Sequence, residues 1–97
     1  MIRHVACFTW AAEATAAQRQ QVTDELRALP ALMHGLRAYH FGADAGLADG
    51  NYDFAVVADF GSVDDYLVYR DHPVHQAIIA EHIQPLIASR AAVQYEI

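Results

Sequence analysis

The chain contains no lysine, and its six basic residues stand against 12 acidic residues, which gives a formal net charge of −6. A nucleic-acid-binding face needs clustered cations, and so does a surface that binds anionic membranes. The arginines are instead scattered along the chain, as Arg3, Arg19, Arg27, Arg37, Arg70 and Arg90. We therefore expect no nucleic acid and no membrane among the partners.

Cysteine and long apolar runs are also scarce. Cys7 is the single cysteine, so an internal disulfide is excluded, and within a predicted strand it serves as a small hydrophobic residue. No apolar run reaches the ~20 residues that a membrane-spanning helix needs, and no basic segment precedes an apolar stretch at the N-terminus. No glycine-rich loop is followed by the lysine of a phosphate-binding motif. We expect a cytoplasmic protein.

A length of 97 residues predicts one domain that spans residues 1–97. A domain of this size buries only about 60–65% of the surface that its unfolded chain exposes. Hydrophobic residues nevertheless make up 55% of the chain. This surplus favours further burial in an interface between subunits.

Hydrophobic periodicity predicts the order βαββαβ. The predicted elements are a strand Ile2–Trp10, a helix from a Thr15 cap to about Leu29, strands Leu36–Phe41 and Tyr52–Phe60, a helical segment from a Ser62 cap that breaks at His72-Pro73 and resumes to about Ala88, and a strand Ala91–Ile97. This order is typical of an α+β, ferredoxin-like sandwich, in which helices cover one face of an antiparallel four-stranded sheet.

The other face of the sheet is predicted to be apolar. It would present Val5, Cys7, Ala55 and Val57, a set too apolar to remain in water. We therefore expect a homodimer that forms through the open sheet face.

Two histidines and a tyrosine are expected to share a space between the sheet and the helices. His4 lies within an apolar strand, where burial without a hydrogen-bond partner would cost about 1–3 kcal/mol. His75 begins a predicted helical stripe facing the sheet, and Tyr69 precedes the break at His72-Pro73 that would open a cavity. The predicted stripe and pocket wall comprise Phe8, Phe54, Val56, Ile78, Ile79, His82 and Leu86.

These residue types suit proton transfer at carbon. A neutral imidazole with a pKa near ~6.5 can take a proton from a moderately acidic carbon. A tyrosine hydroxyl can donate a hydrogen bond to the enolate oxygen that develops. The apolar walls favour a small hydrophobic or aromatic ligand.

A metal site is the competing chemical interpretation. His72 and His75 have a usable spacing, and His82 could supply a third imidazole. Pro73, however, takes His72 out of helical geometry, and no cysteine or carboxylate completes a ligand set. We expect no metal and no cofactor, with His72 as a helix cap, and His82 as a partly buried core residue.

Three segments together resemble the stress-responsive α/β-barrel (Dabb) family. They are Ile2–Trp10 followed by Thr15, Gly50–Phe54, and His72-Pro73-Val74-His75. The resemblance covers essentially the whole chain, and it implies a ferredoxin-like protomer that dimerises into an α+β barrel.

The family includes a plant polyketide cyclase that works without metal or cofactor. By this resemblance, its catalytic histidine falls on His75, its tyrosine on Tyr69 and a pocket histidine on His4. A further pocket histidine of the plant enzyme corresponds to Phe54, which implies a drier pocket and a different substrate.

The leading functional hypothesis is a cofactor-free enzyme of cyclase or isomerase type that acts on an aromatic or polyketide-like compound. In it His75 is the general base, Tyr69 orients that base or holds the enolate, and His4 lines or polarises the pocket. Three alternatives stay open: a non-catalytic stress-responsive protein that binds a hydrophobic ligand in the same cavity, a purely structural oligomer, and a cofactor-independent monooxygenase.

Overall fold

The computed structural model describes residues 1–97. The elements are β1 (Ile2–Trp10), α1 (Ala16–Ala28), β2 (Leu36–Ala43), β3 (Phe54–Phe60), α2 (Val63–Asp71), α3 (Pro73–Ile78) and β4 (Ile87–Glu96). The four strands form one antiparallel sheet with the order β2-β3-β1-β4. The predicted ferredoxin-like α+β fold is confirmed. None of the helices is long and apolar enough to span a bilayer.

The first helix begins and ends where the local sequence predicts. The Thr15 side chain accepts a hydrogen bond from the Gln18 backbone, and the Gln18 side chain accepts one from the Thr15 backbone, so the capping box is formed. The helix buries Val22 and Leu26 and then passes into a short 3₁₀ turn, Leu29–Leu32, that contains Pro30. A proline ring disfavours continuation of an α-helix, so the chain turns here.

The alternation of β1 places one set of side chains inside and the other on the open face. His4, Ala6 and Phe8 are buried, whereas Val5 and Cys7 are only partly covered. The buried set packs into a core that β3, α1 and the α2–α3 segment complete, with Phe60, Leu29 and Val22 among its most enclosed members. The helices therefore cover one face of the sheet, as expected.

The segment after Pro73 differs from the prediction. The α-helix ends at Ile78, a π turn follows over Ile79–Ile83 and a 3₁₀ turn over Gln84–Leu86, so the predicted helix to about Ala88 is wrong. Strand β4 begins at Ile87 rather than Ala91, because its ladder with β1 extends to the pair formed by Trp10 and Ile87.

Two other strand limits each move by two residues. Strand β2 continues past Phe41 to Ala43, and β3 starts at Phe54 rather than Tyr52. Asp53 instead uses its side chain to accept the Trp10 backbone N–H at 2.8 Å, which ties the loop to the end of β1.

The open face has an apolar centre beside an ion pair. Val5 lies between Val57 and Val93 in the two neighbouring ladders. One row away, Arg3 makes a two-pronged contact with the buried Asp59 at 2.7 and 2.9 Å. The Arg3 guanidinium therefore holds the pKa of the Asp59 carboxyl below its usual value.

Candidate active site

A cavity of about 610 Å³ lies between the β1–β4 half of the sheet and the α2–α3 segment with its π turn. It brings together His4, Tyr69 and His75, the three residues that the sequence placed in one space. The complete lining is His4, Ala6, Phe8, Leu26, Val56, Tyr66, Tyr69, Arg70, His75, Gln76, Ile79, Ile83, Gln84, Ile87, Arg90, Ala92 and Gln94.

His75 is held so that one ring nitrogen can accept a proton. Its Nδ1 lies 3.1 Å from the backbone oxygen of Arg70, and since a carbonyl oxygen only accepts hydrogen bonds, Nδ1 carries the ring proton. The lone pair is therefore on Nε2. Burial lowers the pKa of His75, while the bond to the Arg70 carbonyl opposes this shift and the charge of Arg90 adds to it. The neutral ring is the form that acts as a base near pH 7.

His4 has the opposite arrangement. Its Nδ1 lies 2.8 Å from Nε2 of Gln94, an amide nitrogen that only donates, so the proton of the neutral ring is on Nε2. Burial, followed by the charges of Arg90 and His75, lowers the pKa of His4 to about 4. His4 is thus a neutral hydrogen-bond donor at physiological pH.

Neither Nε2 atom is sealed inside the protein. Both atoms lack a hydrogen-bond partner within the protein. Every fully buried side-chain nitrogen or oxygen atom does have such a partner, so these two atoms are not fully buried. The Nε2 atoms of His4 and His75 are therefore reached from the cavity or from solvent. The site offers a ligand one imidazole that donates and one that accepts.

Tyr69 supports His75 with its ring. The two ring centroids are 4.1 Å apart with an interplanar angle of 34°, and Tyr69 is 3% exposed. Its hydroxyl lies 3.4 Å from the hydroxyl of Tyr39 and forms no hydrogen bond to an imidazole. Burial raises the pKa of Tyr69, so the phenol stays protonated. The contact with His75 is therefore one of ring packing.

Two arginines line the cavity, one paired with a carboxylate and one without an ion-pair partner. Arg70 is paired with Asp71 through two contacts at 2.8 and 3.1 Å. Arg90 lies on β4 opposite Phe8 of β1 and forms no salt bridge. Its positive charge lowers the pKa values of both His4 and His75, which places its field at the two imidazoles.

The predicted pocket wall is reproduced in part. Phe8 and Val56 line the cavity, whereas Phe54, Ile78 and His82 do not. Phe54 stacks on Phe8 inside the core with ring centroids 5.1 Å apart, and Ile78 is buried in the same core.

His82 leaves the predicted stripe because of the π turn. The wider turn over residues 79–83 changes the helical phase, so Ile83 rather than His82 follows His75 and Ile79 along the cavity. His82 lies instead near Glu25 of α1, with 3.9 Å between Nε2 and the carboxylate.

His72, one of the three histidines considered as metal ligands, has a structural role instead. Nδ1 of His72 accepts the backbone N–H of Val74 at 3.1 Å, so His72 caps α3 as expected. No group of three or more His, Cys, Asp or Glu side chains is placed to hold a metal ion.

Sequence reasoning missed the part of the site that β4 supplies. Arg90, Ala92 and Gln94 alternate along this strand and pair in register with Phe8, Ala6 and His4, respectively. A strand beginning at Ala91 leaves Arg90 outside the sheet, so its position in the cavity was not anticipated. Period-two alternation extended back from Gln94 is the signal that could have found it. Tyr39 of β2 also contributes, because its hydroxyl lies 3.4 Å from the Tyr69 hydroxyl.

The sheet order and the cavity between sheet and helices define a ferredoxin-like α+β domain with a ligand-sized cavity that is partly open to solvent. Residues 2–97 match the stress responsive A/B barrel domain (Dabb) family, and the chain belongs to this family. No protein of curated function matches the chain.

Three solved structures place the chain among its relatives. A dimeric ferredoxin-like protein of unknown function from Thermobifida fusca is 50% identical, with a TM-score of 0.93 over 99% of this chain and 90% of that chain. A dimeric protein of unknown function from Bacteroides fragilis is 25% identical, with a TM-score of 0.80 over 99% and 95% of the two chains. Hydroxynitrile lyase from Passiflora edulis is 22% identical, with a TM-score of 0.85 over 99% and 92%, and shares the fold.

Proposed function

We propose that the cavity is the active site of a cofactor-free enzyme of cyclase or isomerase type that acts on a small aromatic or polyketide-like compound. The observation that carries this proposal is the pair of neutral imidazoles with opposite hydrogen-bonding roles. His75 has its lone pair on Nε2, His4 has its proton on Nε2, and both rings line the same cavity.

The chemistry that suits this pair is enolisation. Nε2 of His75 takes a proton from a carbon beside a carbonyl group, the electron pair of the broken C–H bond forms a carbon–carbon double bond, and the π pair of the carbonyl group moves onto its oxygen. The Nε2–H of His4 donates a hydrogen bond to that oxygen as its negative charge develops. In a cyclase, the enolate carbon attacks a second carbonyl group, and the alkoxide that forms takes the proton back from His75. In an isomerase, the protonated His75 returns the proton at another carbon.

Tyr69 acts in this scheme as a positioning residue. Its ring packs on the imidazole of His75 and keeps Nε2 directed at the substrate, while its hydroxyl is held by Tyr39. The apolar side chains of Phe8, Val56 and Ile79 in the lining favour an aromatic or extended hydrocarbon body. The lyase from Passiflora edulis supports an enzymatic role, since it is an enzyme with this fold.

Exchange of α-protons tests the proposal without the natural substrate. Phenylacetone is incubated with the protein in D₂O, and loss of its α-proton signals is followed by ¹H NMR. We expect exchange above the buffer rate, and we expect His75→Gln to lower the enzymatic rate by about 100-fold or more. His34→Gln is the matched control, because His34 is exposed and lies outside the cavity.

Two results contradict the enzymatic role. Exchange that His75→Gln leaves unchanged removes His75 as the base. Saturable binding of phenylacetone with no exchange above buffer favours the alternative, a protein that binds a hydrophobic ligand without converting it.

We also propose that the protein is a homodimer that pairs through the open sheet face. The relatives from Thermobifida fusca and Bacteroides fragilis are described as dimeric, and this face carries the apolar centre Val5, Val57 and Val93. We expect Val57→Arg to yield monomers in sedimentation velocity, whereas Val68→Arg, on an exposed part of α2, leaves the dimer intact. A wild-type chain that sediments as a monomer contradicts the proposal.

A further inference from the structure

The charge of the cavity differs from that of the whole protein. The chain has 12 acidic residues and a net charge of −6, yet no aspartate or glutamate lines the cavity. Its only lining residues with a permanent charge are Arg70 and Arg90. The cavity is therefore cationic within an anionic protein, which focuses a positive potential on any occupant.

The two arginines are not equivalent. The Arg70 guanidinium is already engaged by the Asp71 carboxylate through two contacts, so its charge is largely offset. Arg90 forms no ion pair and no side-chain hydrogen bond. Its guanidinium is a planar donor that matches a carboxylate in shape and charge, and it is the one cation of the cavity that is available for such a partner.

Arg90 lies on the same face of the sheet as His4 and lines the same cavity. It lies in register with Phe8, and two rows further along the same ladder Gln94 meets His4. Ala92 between them has a small side chain, which leaves the space above the sheet open from the guanidinium to the imidazole of His4. Arg90 and Gln94 are four residues apart along β4, or about 13 Å of strand, so a ligand that contacts both Arg90 and His4 spans up to about that length.

We propose that the substrate carries a carboxylate that Arg90 binds, so that the cavity selects an oxo acid with an aromatic or extended apolar body. This inference rests on the proposed enzymatic function and adds the class of substrate. The carboxylate would sit at the β4 side of the cavity and leave the carbonyl group of the substrate facing His4 and His75.

Binding of such an anion also favours the base. Arg90 lowers the pKa of His75 in the free protein, and a carboxylate on the guanidinium offsets that charge. The pKa of His75 therefore rises when an acid binds, and the imidazole becomes a stronger base only in the complex. A neutral compound of the same shape leaves the pKa of His75 under the influence of Arg90.

A matched pair of ligands tests the inference. Binding of 2-naphthoate and 2-naphthamide to the intact protein is measured by NMR titration, since the two compounds have the same ring system and differ in charge. We expect the wild type to bind the carboxylate about tenfold more tightly than the amide. We expect Arg90→Gln to abolish this preference, whereas Arg19→Gln, an exposed residue on α1 outside the cavity, keeps it.

Salt provides a second readout on the unaltered protein. High ionic strength should weaken binding of 2-naphthoate and leave binding of 2-naphthamide unchanged. Equal affinities for the two compounds, binding of neither, or a preference that survives Arg90→Gln would overturn the inference. If the carboxylate preference fails but phenylacetone still exchanges its α-protons, the anion site is wrong and the enzymatic role stands. If the exchange fails but the carboxylate preference holds, the enzymatic role is wrong and the anion site stands.

Discussion

The burial of His4 predicts how the stability of the fold depends on pH. The pKa of His4 is about 4 in the folded chain, against 6.5 for the unperturbed side chain. Between these two values the unfolded chain binds a proton at His4 and the folded chain does not. The free energy of unfolding therefore decreases as the pH is lowered through this window.

The size of the effect follows from the shift. Each unit of pKa difference corresponds to about 1.4 kcal/mol, so a change from 6.5 to about 4 is worth about 3 kcal/mol between pH 7 and pH 4. The measurement is urea unfolding followed by circular dichroism at both pH values and at one protein concentration. His4→Asn removes the titrating group but keeps an oxygen that can accept the Gln94 amide.

We expect the wild type to lose about 3 kcal/mol more than His4→Asn over this interval. His75 and the carboxylates titrate in both proteins, so the difference between them reports His4 together with its coupling to the charge of His75. His34→Asn, an exposed change, should retain the wild-type pH dependence. Equal losses in the wild type and in His4→Asn would refute the assignment of His4 as a neutral, buried imidazole.

Two further predictions concern the scaffold, and urea unfolding at pH 7 measures both. Leu29→Ala should cost about 3 kcal/mol because Leu29 is 1% exposed, whereas Leu47→Ala at an 89% exposed site should change stability by less than about 0.5 kcal/mol; similar losses would contradict this account of the core. Gly35→Ala should destabilise more than Gly46→Ala, since both glycines have positive φ but a Cβ at position 35 would overlap the Asp65 carboxyl group. A larger loss for Gly46→Ala would show that the Gly35 turn relaxes freely.

Patterns within single segments of the sequence predicted most of the helices and strands and the three cavity residues His4, Tyr69 and His75. The alternation of β1 placed His4 inside, because a period of two admits only one buried face. Pro73 located the helix break, since a proline restricts the residue before it to extended geometry. These two features brought His4, Tyr69 and His75 to one cavity.

The remaining features depend on contacts between distant segments. The π turn forms where Ile78 and Ile83 both enter the core, and no local pattern specifies that change of phase. The start of β4 is set by its ladder with β1, so the sequence alone did not include Arg90 in the sheet. The pairing of the Tyr69 hydroxyl with Tyr39 likewise joins segments separated by 30 residues.

The most direct test of the account is the position of the ring protons on the two cavity histidines. Long-range ¹H–¹⁵N correlation NMR at pH 7 distinguishes the tautomers, and His75→Gln and His4→Asn assign the signals. We predict that His75 carries its proton on Nδ1 and His4 on Nε2, with both rings neutral. A charged His75, or one with its proton on Nε2, would have no lone pair for a substrate, and that result would contradict the proposed base.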